Sequence, residues 1–138
     1  MSDYSCYITI YNKSSVELTD VYYGSSFGSY ESHPPSNIST GKMISFHLAD
    51  KAGPNGATGW TKYNCGQGVI QFNYDCPFWQ GAPNVLSFDN GSTTLKVHVY
   101  GNNNIDFKWS QSEDSWGPEG QYPSHGYPLS GLFVLLDI

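Results

Sequence analysis

The chain has 138 residues, 13% charged and 16% aromatic, with 11 Tyr, 15 Gly and 8 Pro, a balance that favours strands joined by turns over helices. Its 6 Lys+Arg against 12 Asp+Glu give a formal net charge of -6, which opposes phosphate neutralisation and excludes nucleic acid as a natural partner. The same sign argues against general attraction to anionic lipid, so membrane binding would need specific headgroup contacts and apolar insertion.

Met1 to Cys6 shows no basic segment followed by an apolar run, and no 18-residue apolar stretch occurs anywhere. The expectation is a soluble protein without a signal peptide, cytoplasmic until release and acting at a target membrane surface. Cys6 to Tyr11 alternates with period two, placing Cys6, Ile8 and Ile10 on one face and Tyr7, Thr9 and Tyr11 on the other, as in a half-buried strand. Turn residues at Asn12 to Ser15 lead into a second strand from Val16 to Tyr23, with a bulge expected near Asp20, and the pair reads as a hairpin.

Gly24 to Gly41 is rich in Ser, Gly, Pro and Asn and is expected to be a long surface loop holding at most one short strand near Tyr30. Met43 to Leu48 alternates again. After the turn at Gly53-Pro54-Asn55-Gly56, Thr58 to Cys65 and Val69 to Tyr74 flank Gly66-Gln67-Gly68 as a hairpin. Leu86 to Phe88, Leu95 to Tyr100, Ile105 to Trp109 and Leu132 to Asp137 complete the strands. No segment has a 3.6-residue period, so the fold expected over residues 1–138 is all-β, a single antiparallel β-sandwich domain. The three cysteines, Cys6, Cys65 and Cys76, are expected to be reduced and buried.

Motifs for chemistry are missing. There is no Gly-x-Ser-x-Gly, no P-loop, and His33, His47, His98 and His125 occur singly, without metal-ligand spacing. The sequence therefore points away from an enzyme and implies neither cofactor nor metal. The informative stretch is Tyr74-Asp75-Cys76-Pro77-Phe78-Trp79, where a proline ends sheet pairing and two large aromatics follow in a segment that should be polar. Such aromatics either plug one end of the sandwich or are displayed, and displayed ones suit the headgroup layer of a membrane. The segment from Ser110 to Ser130 adds Trp116, Tyr122 and Tyr127 among glycines and prolines, as an Ω-loop or as a further contact surface.

Phe72-Asn73-Tyr74-Asp75-Cys76-Pro77-Phe78 resembles the signature of the aegerolysin family, an aromatic run reading Tyr-Trp-Asp-Cys-Pro-Trp. Ile8 to Asn12, Ser26-Phe27-Gly28, Thr40-Gly41-Lys42 with Ile44-Ser45-Phe46, Asn55 to Gly59, and Tyr100 to Asn103 resemble family segments in the same order. The likeness spans about three quarters of the chain. It implies an actinoporin-like sandwich that binds membrane sphingolipids and acts with a larger MACPF-type pore-forming protein, as the targeting component of a two-component cytolysin or insecticidal toxin. The residues implicated are Tyr74, Phe78, Trp79, Trp60 and Phe27, with Asp75 orienting the loop through a hydrogen bond.

Departures from the family bear on headgroup preference. Tyr74, Phe78 and Phe27 stand where it has Trp, and Asn55 stands where many fungal members have Glu. A carbohydrate-binding lectin of β-sandwich type, using Trp79, Gln80 and Asn84, is the alternative reading. A membrane-inert structural or immunity-like protein is the third.

Overall fold

The computed structural model describes residues 4–50, 56–66, 68–78, 82–91, 93–102, 116–125 and 128–138. The described residues form nine strands in two sheets: β1 (Cys6–Asn12), β2 (Thr19–Phe27), β3 (Ser29–Ser32), β4 (Met43–Ala49), β5 (Ala57–Cys65), β6 (Gly68–Cys76), β7 (Val85–Asp89), β8 (Leu95–Gly101) and β9 (Leu129–Asp137). One sheet runs β3-β4-β1-β9-β8 and the other β2-β5-β6-β7. The all-β sandwich expected from the strand pattern is the fold. All pairings are antiparallel except β1 with β9, which run parallel. The strand expected over Ile105 to Trp109 and the turn at residues 53–55 lie outside the described residues.

Period-two alternation builds the core, because every second side chain of each strand faces the opposite sheet. Ile8, Ile10, Phe46, Leu48, Phe133 and Leu135 from one sheet meet Tyr63, Ile70, Phe72, Tyr74 and Leu86 from the other. Phe72 and Phe133 pack with ring centroids 4.9 Å apart, and Phe46 and Tyr74 at 5.7 Å. All three cysteines are buried free thiols.

Three sequence expectations need correction. β1 and β2 do not form a hairpin, since they belong to different sheets. The buried Asn12 side chain turns the chain between them: its Nδ2 donates to the Val16 and Ile38 carbonyls, and its Oδ1 accepts from the Ser14 amide and hydroxyl. Three local hydrogen bonds and one to Ile38 thus satisfy a crossover that turn propensity alone reads as a hairpin loop. The bulge near Asp20 is present, with Asp20 at φ 55° and a register shift between Thr19 and Tyr22.

β1 is also buried on both faces rather than one, with Tyr7 and Thr9 enclosed as fully as Ile8. It lies in the middle of its sheet, and Trp116 packs on the outer face of the neighbouring β9 against Leu132 and Val134, with Tyr11 and Tyr100 alongside. The segment 24–41 is less of a loop than expected, because β2 continues to Phe27; the short strand expected near Tyr30 is β3, which joins the edge of the other sheet.

Candidate functional site at one end of the sandwich

Strand register gathers the candidate residues at one end. The end of β2 faces the start of β5 through Phe27 and Thr58, and the start of β5 faces the end of β6 through Ala57 and Cys76. Phe78, two residues past β6, therefore emerges at the same end as Phe27. Both rings are open to solvent, Phe27 at 45% and Phe78 at 40% exposure. Pro77 lacks an N–H and cannot extend the ladder, so pairing stops before Phe78.

Two glycines hold the backbones together here. A Cβ on Gly56, at φ 72°, would stand 2.3 Å from the Cys76 carbonyl oxygen and 2.7 Å from the Phe78 nitrogen. A Cβ on Gly28, at φ 94°, would stand 2.7 Å from the Ala49 carbonyl oxygen. Left-handed backbone and close approach both demand glycine at these positions.

The approach to β1 completes the end. The Tyr4 ring meets Phe78 with centroids 4.9 Å apart and planes at 56°. Asp50 secures this approach: its Oδ2 accepts from the Tyr4 amide at 3.2 Å, and its own amide donates to Ser5 Oγ at 3.2 Å. Tyr4 was not singled out from sequence, since its position just before an apolar strand carries no signal of what it stacks against.

Asp75 makes a hydrogen bond, though its partner is on the neighbouring strand. The Thr58 hydroxyl donates to Asp75 Oδ1 at 2.7 Å, tying β5 to β6 across the row that also contains Phe27. The carboxylate stands on the outer face of the sheet, half-buried, in the same cross-strand row as the exposed Phe27, with Thr58 between them.

Several sequence candidates are placed elsewhere. Tyr74 is 1% exposed and its ring lies between the sheets, so it supports the end from within instead of touching a ligand. Its hydroxyl hydrogen-bonds with Tyr30 at 2.6 Å and with Thr61 at 2.7 Å. Even-numbered β6 residues from Ile70 to Cys76 face inward, and Tyr74 shares that phase. Trp60 is on the outer face of the four-stranded sheet, half-buried, in the row adjacent to Thr58 and Asp75. Trp116 is buried in the second apolar cluster, and Tyr122 packs against the main core. Both side chains are packed against apolar clusters. Trp79, Gln80 and Tyr127 lie outside the described residues. Asn84 is buried, its Nδ2 donating to the Pro123 carbonyl at 3.0 Å, which removes it from the sugar-contact role of the lectin reading.

Among the described residues, no group of three His, Cys, Asp or Glu side chains is placed to hold a metal ion. His98 Nδ1 pairs with Glu119 Oε2, an edge contact that holds the 116–122 segment to β8. No helix among the described residues is long and apolar enough to cross a membrane.

Two solved structures share this architecture. The RahU protein, crystallised in complex with a TRIS molecule, superposes at a TM-score of 0.71, with 13% identity, over 97% of this chain and 95% of its own. The lipid binding protein Nakanori superposes at 0.64, with 12% identity, over 96% of this chain and 69% of its own. At such identities the likeness establishes the fold. No family model and no curated protein matches the sequence.

Proposed function

We propose that the protein binds lipid headgroups at a membrane surface, with the Phe27–Phe78 end as its contact. The observation that carries this reading is the pairing of two exposed phenylalanines at one end, while Tyr74, Phe72, Phe46 and Phe133 are enclosed. Each exposed ring contributes on the order of 1 kcal/mol when its remaining apolar surface leaves water. Asp75 and the aromatic faces suit a cationic choline headgroup, for which a ring contact contributes roughly 0.5–2 kcal/mol. The net charge of -6 gives no general attraction to anionic bilayers, so a zwitterionic headgroup fits better than an acidic one.

The fold shared with a lipid binding protein and the aegerolysin-like sequence segments both support this reading. On the sequence resemblance alone, the proposal extends to sphingolipid as the preferred class and to a role as targeting component beside a larger MACPF-type pore-forming partner. The absence of the catalytic motifs sought in the sequence supports a binding protein over an enzyme.

Flotation with vesicles of phosphatidylcholine, sphingomyelin, ceramide phosphoethanolamine or glycolipid tests the proposal. Co-flotation with sphingomyelin or ceramide phosphoethanolamine vesicles, above the phosphatidylcholine background, is the expected result. Absence of co-flotation with every composition would overturn the proposal. Calcein release should stay low with the protein alone and rise when a cognate larger partner is added.

A further inference from the structure

The outer face of the four-stranded sheet is a second surface with an organisation of its own. Its cross-strand rows follow from the register. Tyr22, Lys62, Gln71 and Asp89 form one row, Gly24, Trp60, Asn73 and Ser87 the next, and Phe27, Thr58, Asp75 and Val85 the third. Side chains along these rows are half-buried or exposed, and Tyr22 is 66% exposed.

The middle row is built around Gly24. A Cβ there would lie 2.6 Å from Trp60 Cζ2, 2.7 Å from Cη2 and 3.2 Å from Cε2. Near-equal distances to three contiguous ring atoms mean that the indole lies with its face, not its edge, on the β2 backbone. Only glycine permits this approach. One face of Trp60 is thereby seated on the sheet, and the residue as a whole is half-buried.

Next to that indole stands a chain of polar groups. Gln71 Nε2 donates to Asn73 Oδ1 at 2.6 Å, and Asn73 Nδ2 donates to Ser87 Oγ at 3.2 Å. These contacts fix both amides in orientation while leaving the Gln71 carbonyl oxygen, the second Asn73 N–H and the Ser87 hydroxyl hydrogen for a ligand. From Trp60 to Ser87 the row spans about 10 Å at ordinary strand spacing. The neighbouring rows carry Lys62, Asp89 and Asp75, so no cluster of cations is present to hold a phosphate or a sugar carboxylate.

We propose that this face binds a neutral pyranose sugar, stacked on Trp60 and hydrogen-bonded by Gln71, Asn73 and Ser87. The aliphatic C–H face of a pyranose carries partial positive charge and complements the negative face of an indole. Its equatorial hydroxyls both donate and accept, as do amide and hydroxyl side chains held at the ring's edge. The same chemistry is offered by a free oligosaccharide and by the headgroup of a neutral glycolipid. The Trp60 row adjoins the row of Phe27 and Asp75, but the stacking ring and the amide and hydroxyl groups proposed here are not those proposed to contact lipid at the Phe27–Phe78 end.

The test uses the intact chain on an array of neutral oligosaccharides, followed by titration of the best binder and of phosphatidylcholine vesicles with and without lactosylceramide. Trp60→Ala should weaken sugar binding at least tenfold, and Trp60→Tyr should retain part of it. Gly24→Ala should weaken it comparably, because the added methyl lifts an indole that is still present. Thermal melting of each variant separates loss of the site from loss of the fold. Trp60-dependent binding of free sugar identifies a soluble glycan as ligand, and Trp60-dependent binding of lactosylceramide vesicles alone identifies a glycolipid. Sugar binding that is absent from both arms, or that survives in folded Trp60→Ala, overturns the proposal. Failure of the lipid-end reading would appear differently, as loss of sphingomyelin flotation with sugar binding intact.

Discussion

The hydroxyls of Tyr30 and Tyr74 meet at 2.6 Å, joining β3 of one sheet to β6 of the other through the middle of the sandwich. Tyr30 also donates towards the Gly24 carbonyl at 2.8 Å, and Thr61 Oγ1 is 2.7 Å from the Tyr74 hydroxyl. The network lies beneath the surface on which Trp60 rests. Tyr74→Phe removes the central hydroxyl and leaves Thr61 without that partner inside the core. The expected cost is about 1–3 kcal/mol of folding stability, read as a lower urea midpoint with vesicle binding retained below the transition.

Burial gives this network a pH signature. Desolvation pushes the Tyr30 phenol from 10.0 up to about 12, and burial raises Tyr74 and Tyr63 as well. The unfolded chain therefore loses these protons first as pH rises, so the folded state holds more protons above pH 10. The stabilisation is complete below pH 10 and declines from there through the Tyr30 value near 12. Denaturant melts from pH 8 to 12 should show a flat region followed by this fall, and Tyr74→Phe should make the fall shallower.

Exposed and enclosed aromatics should separate cleanly by mutation. Phe27→Ala with Phe78→Ala is expected to abolish vesicle co-flotation while changing stability by about 1 kcal/mol or less, because both rings are already partly in water. Phe72→Ala, in the core, should cost about 3–5 kcal/mol. A double variant that melts like the parent and still floats with vesicles would move the lipid contact away from this end.

Gly56→Ala tests how the end is held. The new methyl would collide with the Cys76 carbonyl oxygen at 2.3 Å on a backbone at φ 72°. Destabilisation should exceed the ordinary 1 kcal/mol or so expected of a glycine-to-alanine change at positive φ, since backbone must shift as well. Vesicle affinity should fall even in the folded fraction, because Phe78 is displaced with the Cys76–Phe78 backbone.

Trp116→Ala should behave as a core truncation despite its place in a segment rich in glycine and proline. Trp116 is 7% exposed and covers Leu132 and Val134 on the outer face of β9. A loss of about 3–5 kcal/mol is expected, with lipid binding preserved at temperatures where the variant remains folded. Loss of binding at unchanged stability would return Trp116 to the contact surface.

Much of the fold is legible locally. Period-two alternation in Met43 to Leu48, Thr58 to Cys65 and Leu95 to Tyr100 places those strands and their inward residues, because a strand's two faces are recorded in its own order of side chains. The β5–β6 hairpin is equally local, with Gly66 at φ 68° in the turn. Pairing partners are not recorded that way. β1 alternates like a half-exposed strand, yet its position between β4 and a parallel β9, beside a face that Trp116 helps to cover, encloses both of its sides. The Asn12 crossover shows the same limit, since its side-chain bond to Ile38 links residues 26 apart in sequence.

The candidate site divides along the same line. By itself, the sequence determined that aromatics cluster around Pro77 and that charge disfavours nucleic acid, since both are properties of composition and order. Only the tertiary structure decided which aromatics reach solvent. Phe78 lies past the last paired residue of β6 and is exposed, whereas Tyr74, four residues earlier, has the inward phase and is enclosed. The face that holds Trp60 was decided by register, which brings Gly24 beneath an indole 36 positions along the chain. Sequence order specifies which face of its own strand each side chain takes, while the neighbour it meets depends on strand pairings closed over long loops, and these exist only in the assembled sheets.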